Sequence, residues 1–451
     1  MLHLLAPKEC RRFLRPLSCL AASVVFAVAS SSSLAADTLW KTASGDWFNA
    51  SSWTGGVPTN SSDAFVNNGG TAFVNATGAK AQFLFLGGSD NTSGTMEIGG
   101  GGAVTSTLGF GVGVGYNSSG TLRIIGGGTL TTFAGSVAAN LGSTGSVLID
   151  GAGSSWTVSQ AESYLATSGS GSLTLSNGGL LKLGGGTGSL IMAVDRNSVA
   201  NLFIGTGGAA GTIQAKDVYG LQDLENGLGG TATIIFNHNE ANYQFTPAIF
   251  DRTAVKHIGP GRTILTAAES NYFNATTITA GQFLVQNGLA GTGTVAVASA
   301  GTFGGKGTVN GLTTISGGLV PGIDDIGRLT FTADLTLNST AVVKLELGGL
   351  VRGQSFDAID LTANLIYGGT LQLSLVNGFE PKIGDTFRLF SGFTSFSGTF
   401  SSVQFEQQGF GGTFNPSNGI LAITSVPEPG LGGLLATGFL ILGVVRRPKC
   451  I

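Results

Sequence analysis

Gly94-TMEIGGGGAV, Gly120-TLRIIGGGTL, Gly145-SVLIDGAGSSW and Gly171-SLTLSNGGLL align without gaps, and their leading glycines are 26, 25 and 26 residues apart. A looser fifth copy, ANLFIGTGGAAGTI, begins at Ala200. In each unit an alternating strand (Met96 and Ile98; Leu122 and Ile124; Val147 and Ile149; Leu173 and Leu175) meets a glycine cluster and then a second short strand. Alternation at period two buries one face, and the clustered glycines supply φ > 0 corners. A period near 25 residues suits one turn of a three-faced solenoid, with three strands of about five residues and three corners. No unit buries its own apolar row; coils stacked about 4.8 Å apart do so against their neighbours. A propeller blade needs about 40–50 residues, and a leucine-rich repeat carries helix-like segments and an asparagine ladder. The expected fold is therefore all-β, a right-handed parallel β-solenoid (β-helix) whose ~25-residue repeats occupy 86–230.

Composition agrees with a large all-β chain of short strands. Of 451 residues, 75 are Gly and 11 Pro, 42% are hydrophobic and only 10% charged. That Gly and Pro share is below the roughly 25–30% of low-complexity disorder, and the apolar fraction suffices for a core. With 22 Lys and Arg against 25 Asp and Glu there is no basic excess for phosphate contacts, so no nucleic-acid partner is expected.

The two ends read as processing segments. In 1–36, Lys8, Arg11, Arg12 and Arg15 form a basic region, and Leu17 to Ala29 is an apolar stretch of signal-peptide length. Ser33-Leu34-Ala35 places the cleavage between Ala35 and Ala36, and the Arg11-Arg12 pair also admits twin-arginine export. In 426–451, Val426-Pro427-Glu428-Pro429 precedes the uncharged run Gly430 to Val445 and then Arg446, Arg447 and Lys449. Such a run is a short membrane-spanning helix, with its basic end held on the cytoplasmic side. The order VPEP, apolar helix, basic tail resembles the PEP-CTERM sorting signal of bacterial exported proteins. That resemblance implies recognition and processing by an exosortase, release or transfer at the cell surface, and membrane contact only through this helix beforehand. Cys10, Cys19 and Cys450 all fall in these ends, leaving no thiol chemistry in between. Without Glu9 and the seven terminal Lys and Arg, 15 basic residues face 24 acidic ones, a mildly acidic exported chain.

From Ala232 the wording changes. Thr231-ATIIFNHNEANYQF, Val255-KHIGPGRTILTAAESNYFNATTITAGQFLVQNG and Thr292-GTVAVASAGTFGGKGTVNGLTTISGGLVPG resemble the autotransporter-associated β-strand repeat, which implies a passenger-like parallel β-helix over 231–328. An autotransporter would continue into a membrane barrel of many alternating strands; here the sequence runs into VPEP, so self-translocation is not expected. Segment 329–425 holds longer alternating strands such as Val342-VKLEL and Leu371-QLSLV. They form either final coils or a small β-sandwich, and some C-terminal β cap is required to cover the last edge.

Motifs for chemistry are sparse. There is no Gly-x-Ser-x-Gly elbow and no His-Glu-x-x-His; Gly301-TFGGKGT departs from a phosphate loop in spacing and at Gly307. His238 and His257, with Glu240, lack metal-site spacing. Asp324-Asp325 sits in a Pro-Gly turn, where aspartate is at home, and alternation puts Asp357 and Asp360 on opposite faces. Trp40, Trp47 and Trp53, in the segment 37–85, are either a platform for stacking on sugar faces or a hydrophobic cap on the first coil, and the cap is favoured. This W…W…W…VPT opening resembles the start of exported surface proteins of this architecture. Asn-x-Ser/Thr sites, among them Asn49, Asn60 and Asn91, leave a glycan role open.

The expectation is a non-enzymatic cell-surface or extracellular-matrix protein, associated with biofilm or exopolysaccharide, using no cofactor and no metal. Its partners would be the export machinery, an exosortase-type enzyme and extracellular polysaccharide. The alternative is a secreted carbohydrate-binding or polysaccharide-degrading β-helix enzyme, which a grooved face with converging Asp, Lys or Arg and aromatic residues would favour.

Overall fold

The computed structural model describes residues 37–108, 111–221 and 229–428. Ala35 and Ala36 lie outside them with the rest of 1–36, as do Pro429, Arg446, Arg447 and the apolar run between. Among the described residues no helix is long and apolar enough to cross a membrane. The only helical elements there are two single 3-10 turns, Ala50–Ser52 and Gly184–Gly186.

Each sequence repeat is one coil. Strands Ser93–Ile98, Ser119–Ile125, Thr144–Asp150, Ser170–Ser176 and Val199–Ile204 lie side by side, all parallel. Their register aligns Gly94, Gly120, Gly145, Gly171 and Ala200 in one row, reproducing the gap-free sequence alignment. Met96, Ile98, Leu122, Ile124, Val147, Ile149, Leu173 and Leu175 all point inward and are buried. This is the first face. Ala103–Ser106, Thr129–Thr132, Ser155–Val158 and Leu180–Leu183 build a second. Val112–Val114, Gly135–Val137, Glu162–Leu165 and Ser189–Met192 build a third. Between first and second faces the chain turns through Gly126 and Gly127 at φ 55° and 81°, a region closed to most L-residues.

Between Thr231 and Thr313 the coils contract, and beyond Leu335 they lengthen again, Leu365 pairing with Leu335 and Phe396 with Leu365. Val295 pairs with Thr313 only 18 residues on, because the corner between the first two faces opens into continuous strands, Thr276–Val285 and Val295–Gly305. The third-face sheet ends at Asn271–Tyr272, and a new five-stranded sheet from Gly288–Leu289 to Phe390–Ser391 takes its place. The parallel ladder then passes through Val342–Leu347 and Thr370–Leu375 to Ser402–Phe405, so 329–425 continues the solenoid. A three-stranded antiparallel sheet, Thr386–Arg388, Gly411–Asn415 and Ile420–Ser425, closes this end, with Phe387 and Leu421 fully buried. Val426 packs against the core just beyond it.

Candidate functional site

The tryptophans close the other end. Trp53 stands edge-on to both Trp40 and Trp47, with ring centroids 4.9 and 4.8 Å apart, and its Nε1 donates to the Trp47 carbonyl at 2.9 Å. Trp40, Trp47 and Trp53 are 3, 0 and 1% exposed, so no ring face is open to a sugar. Their geometry is that of a hydrophobic plug, and a carbohydrate platform at these three residues does not fit it.

The two histidines come together through the ladder rather than through sequence spacing. His238 and His257 are fully buried, their ring centroids 5.8 Å apart, with the Thr263 hydroxyl between them. The backbone N–H of Glu240 donates to His238 Nδ1 at 3.2 Å, so the ring proton sits on Nε2 and reaches Thr263 Oγ1 at 2.8 Å. His257 Nδ1 donates to the Ala280 carbonyl at 2.9 Å, leaving Nε2 to accept from Thr263 at 3.1 Å. Every polar atom of the trio is satisfied with both rings neutral. Burial and then the His257 ring hold His238 down at about 4; burial likewise lowers His257, against the opposing pull of the Ala280 carbonyl. Among the described residues no group of three or more His, Cys, Asp or Glu side chains is placed to hold a metal ion.

A sign follows for pH. A histidine with a lowered folded pKa binds its proton more readily when unfolded. His238's contribution to stability is therefore complete above about 6.5 and is lost as pH falls toward about 4, and the lowered His257 acts in the same direction. Asp63, raised to about 6, and Asp357, raised to about 7, act oppositely: their ionisation costs stability as pH rises from 3.8 through those values. The opposing slopes mask one another in a melting curve, so the direct observable is NMR. The His238 ring signals should stay at their neutral positions from pH 7 to about 5 and move only near 4. A midpoint near 6.5 would contradict the buried neutral trio.

A group of charged residues gathers on the outer surface of the C-terminal coils. The turn around Asp324, itself at φ 63°, arches over this surface and is tied down at both aspartates. Arg262 reaches Asp324 at 2.9 Å across 62 residues of sequence, and Lys306 meets Asp325 at 2.5 Å. Between the turn and the sheet lies a cleft of about 260 Å³, whose walls include Gln282, Lys344, Glu346, Asp357, Gln372 and Glu406. Asp357, 1% exposed, accepts the N–H of Gly327 at 2.7 Å and that of Glu346 at 2.8 Å. Burial pushes its carboxyl up to about 7, the two N–H groups pull back, and Glu346 and Asp325 push further up. Glu346 is raised by burial and by the charges of Asp325, Asp324 and Glu406. Asp325 feels burial upward, yet the Lys306 bond, the Ile323 N–H and the Lys306 charge leave it lowered. Burial and neighbouring charge thus push Asp357 and Glu346 upward, while the Lys306 bond pulls Asp325 down.

The Asp324-Asp325 turn and Asp357 therefore meet at one cleft, while Asp360 is held apart by Arg328 and Arg352. Glu346, Arg262 and Lys344 were missed in the sequence because each stands as one outward residue on an alternating strand, with no local motif.

No family model matches the chain. The adhesin BmaC autotransporter of Brucella suis biovar 1 (strain 1330) is similar to part of it, 29% identical over 184 residues, which is 38% of this chain. The match spans 5% of that adhesin's length.

Proposed function

We propose that the chain is an exported, non-enzymatic structural β-solenoid of the cell surface or extracellular matrix, sorted by an exosortase acting on Val426 to Pro429. The observation that carries this reading is the parallel first-face ladder that runs from Ser44–Asp46 to Phe396–Gly398, plugged by tryptophans at one end and capped by an antiparallel sheet at the other. A rod of this kind displays outward residues at fixed intervals, which suits adhesion and matrix building. Partial likeness to an adhesin supports it.

The test is Pro427→Ala with Pro429→Ala in the native strain, which leaves charge and apolar length untouched. Sorting requires a membrane-bound precursor to accumulate, larger than the processed form by roughly 2–3 kDa. Unchanged mass and location would reduce Val426 to Pro429 to a stiff linker.

The cleft beside Asp357 favours a second reading, a polysaccharide-degrading enzyme, because Glu346 and Asp357 are raised while Asp325 is lowered. Turnover of a polysaccharide by the purified chain, abolished by Glu346→Gln, would select it.

A further inference from the structure

On the second face the outward row reads Thr105, Thr131, Thr157, Lys182 and Gln214 from coil to coil. The third face carries a different row. Phe65 and Phe85 are register partners with rings stacked 4.9 Å apart. Tyr116 fills the space above Gly113, edge-on to Phe85 at 5.2 Å. Farther along, Tyr164, Ile191, Tyr219 and Phe250 follow one another in register on consecutive coils. Apart from Ile191 these rings are half-buried, so each keeps part of its surface toward solvent.

Two residues upstream on the same strands runs a second outward row, bearing Asp63, Glu162 and Asp217. Tyr164 donates its hydroxyl to Glu162 at 3.0 Å. Asp217 is 6% exposed; its Oδ2 meets Lys216 Nζ at 3.2 Å, and its buried Oδ1 has no hydrogen-bond partner among the described residues. A buried acceptor lacking a donor is costly. Asp63, half-buried, accepts the backbone N–H of Phe83.

Half-buried aromatic rings beside carboxylates, on coils interspersed with Gly113, Ser136 and Ile191 at the same row position, are the recognition chemistry of a linear sugar polymer. The apolar C–H faces of pyranose rings stack on aromatic side chains, and the hydroxyls at their edges donate to carboxylates. Carboxylates along the row repel an anionic polymer. An extended peptide would need a free strand edge, and these strands are paired on both sides. A small cation would need one aromatic cage rather than a row of them.

We propose that the outer surface of the third face binds a linear neutral glycan, stacked on Tyr164, Tyr219 and Phe250 with its hydroxyls donating to Glu162. The proposal takes its setting from the surface-protein reading above and names the ligand class.

The full chain is purified and titrated calorimetrically with cellohexaose, laminarihexaose and maltohexaose, with hexagalacturonate as the anionic probe and spermine as the cationic one. At least one neutral hexasaccharide should bind, with hexagalacturonate weaker by roughly tenfold or more. Tyr164→Ala with Tyr219→Ala should weaken neutral binding by roughly tenfold or more, while Arg123→Ala on the first face leaves it unchanged. Tyr164→Ala alone carries the same test if circular dichroism shows the double variant misfolded. No binding of any neutral hexasaccharide, binding indifferent to the tyrosines, or a preference for hexagalacturonate or spermine would overturn the proposal. Sorting is read by cell fractionation, which these variants leave intact, so either reading can fail alone.

Discussion

Ile149→Asp should remove most of the chain's stability, lowering it by about 4–5 kcal/mol or more, whereas Arg123→Asp should cost about 1 kcal/mol or less. Ile149 is 0% exposed and lies in register between Ile124 and Leu175, which are also fully buried. A carboxylate there would be enclosed by apolar side chains of its own coil and of both neighbours, with no cation among them. It must either ionise without water or hold its proton, and in both cases the Ile transfer energy is lost as well. Arg123 sits one residue from Ile124 but on the outer side, 42% exposed and bridged to Glu97 on the preceding coil at 3.0 Å. Reversing its charge breaks a surface ion pair and sets two carboxylates side by side, both hydrated. Urea unfolding of the two variants measures the difference. Equal losses would contradict the inward register of the first face.

The first face was the legible part, because there one coil equals one sequence repeat and Gly94, Gly120, Gly145 and Gly171 mark the same point in each. Periodicity also gave the direction of Ile98, Ile124 and Ile149. What it could not give was anything assembled across coils of unequal length. Thr263 lies 25 residues from His238 and 6 from His257, yet touches both, because the contracted coils set the separation. Arg262 and Asp324 meet through a turn that reaches back over several coils. The row Tyr164, Ile191, Tyr219 and Phe250 falls on short third-face strands without a repeating residue, so no alignment brought it out. The tryptophans, by contrast, were visible as a cluster, and only burial separates a plug from a platform.

The leading glycines themselves carry the other large effect. Their backbone φ is not positive, so conformational freedom is not why glycine stands there. The reason is proximity to the end of the third-face strand of the coil before. A Cβ on Gly94 would stand 1.6 Å from the Val66 carbonyl oxygen; on Gly120, 2.0 Å from the Gly115 nitrogen; on Gly145, 2.5 Å from Val137 Cγ1 and 2.6 Å from the Val114 carbonyl oxygen; on Gly171, 2.8 Å from Leu165 Cδ1. Backbone cannot yield without breaking the ladder, whereas the far end of a leucine turns aside. The same row continues with Ala200 and Ala232, where the methyl is already accommodated and fully buried. Glycine-to-alanine substitutions should therefore be graded. Gly94→Ala and Gly120→Ala should each cost about 3 kcal/mol or more, Gly145→Ala less, and Gly171→Ala about 1 kcal/mol. Four single variants melted under one buffer give the order directly. A flat series would mean that the corner moves freely to admit a methyl group, and then the glycines of the repeat would owe their place to something other than the close crossing of chain from the third face to the first.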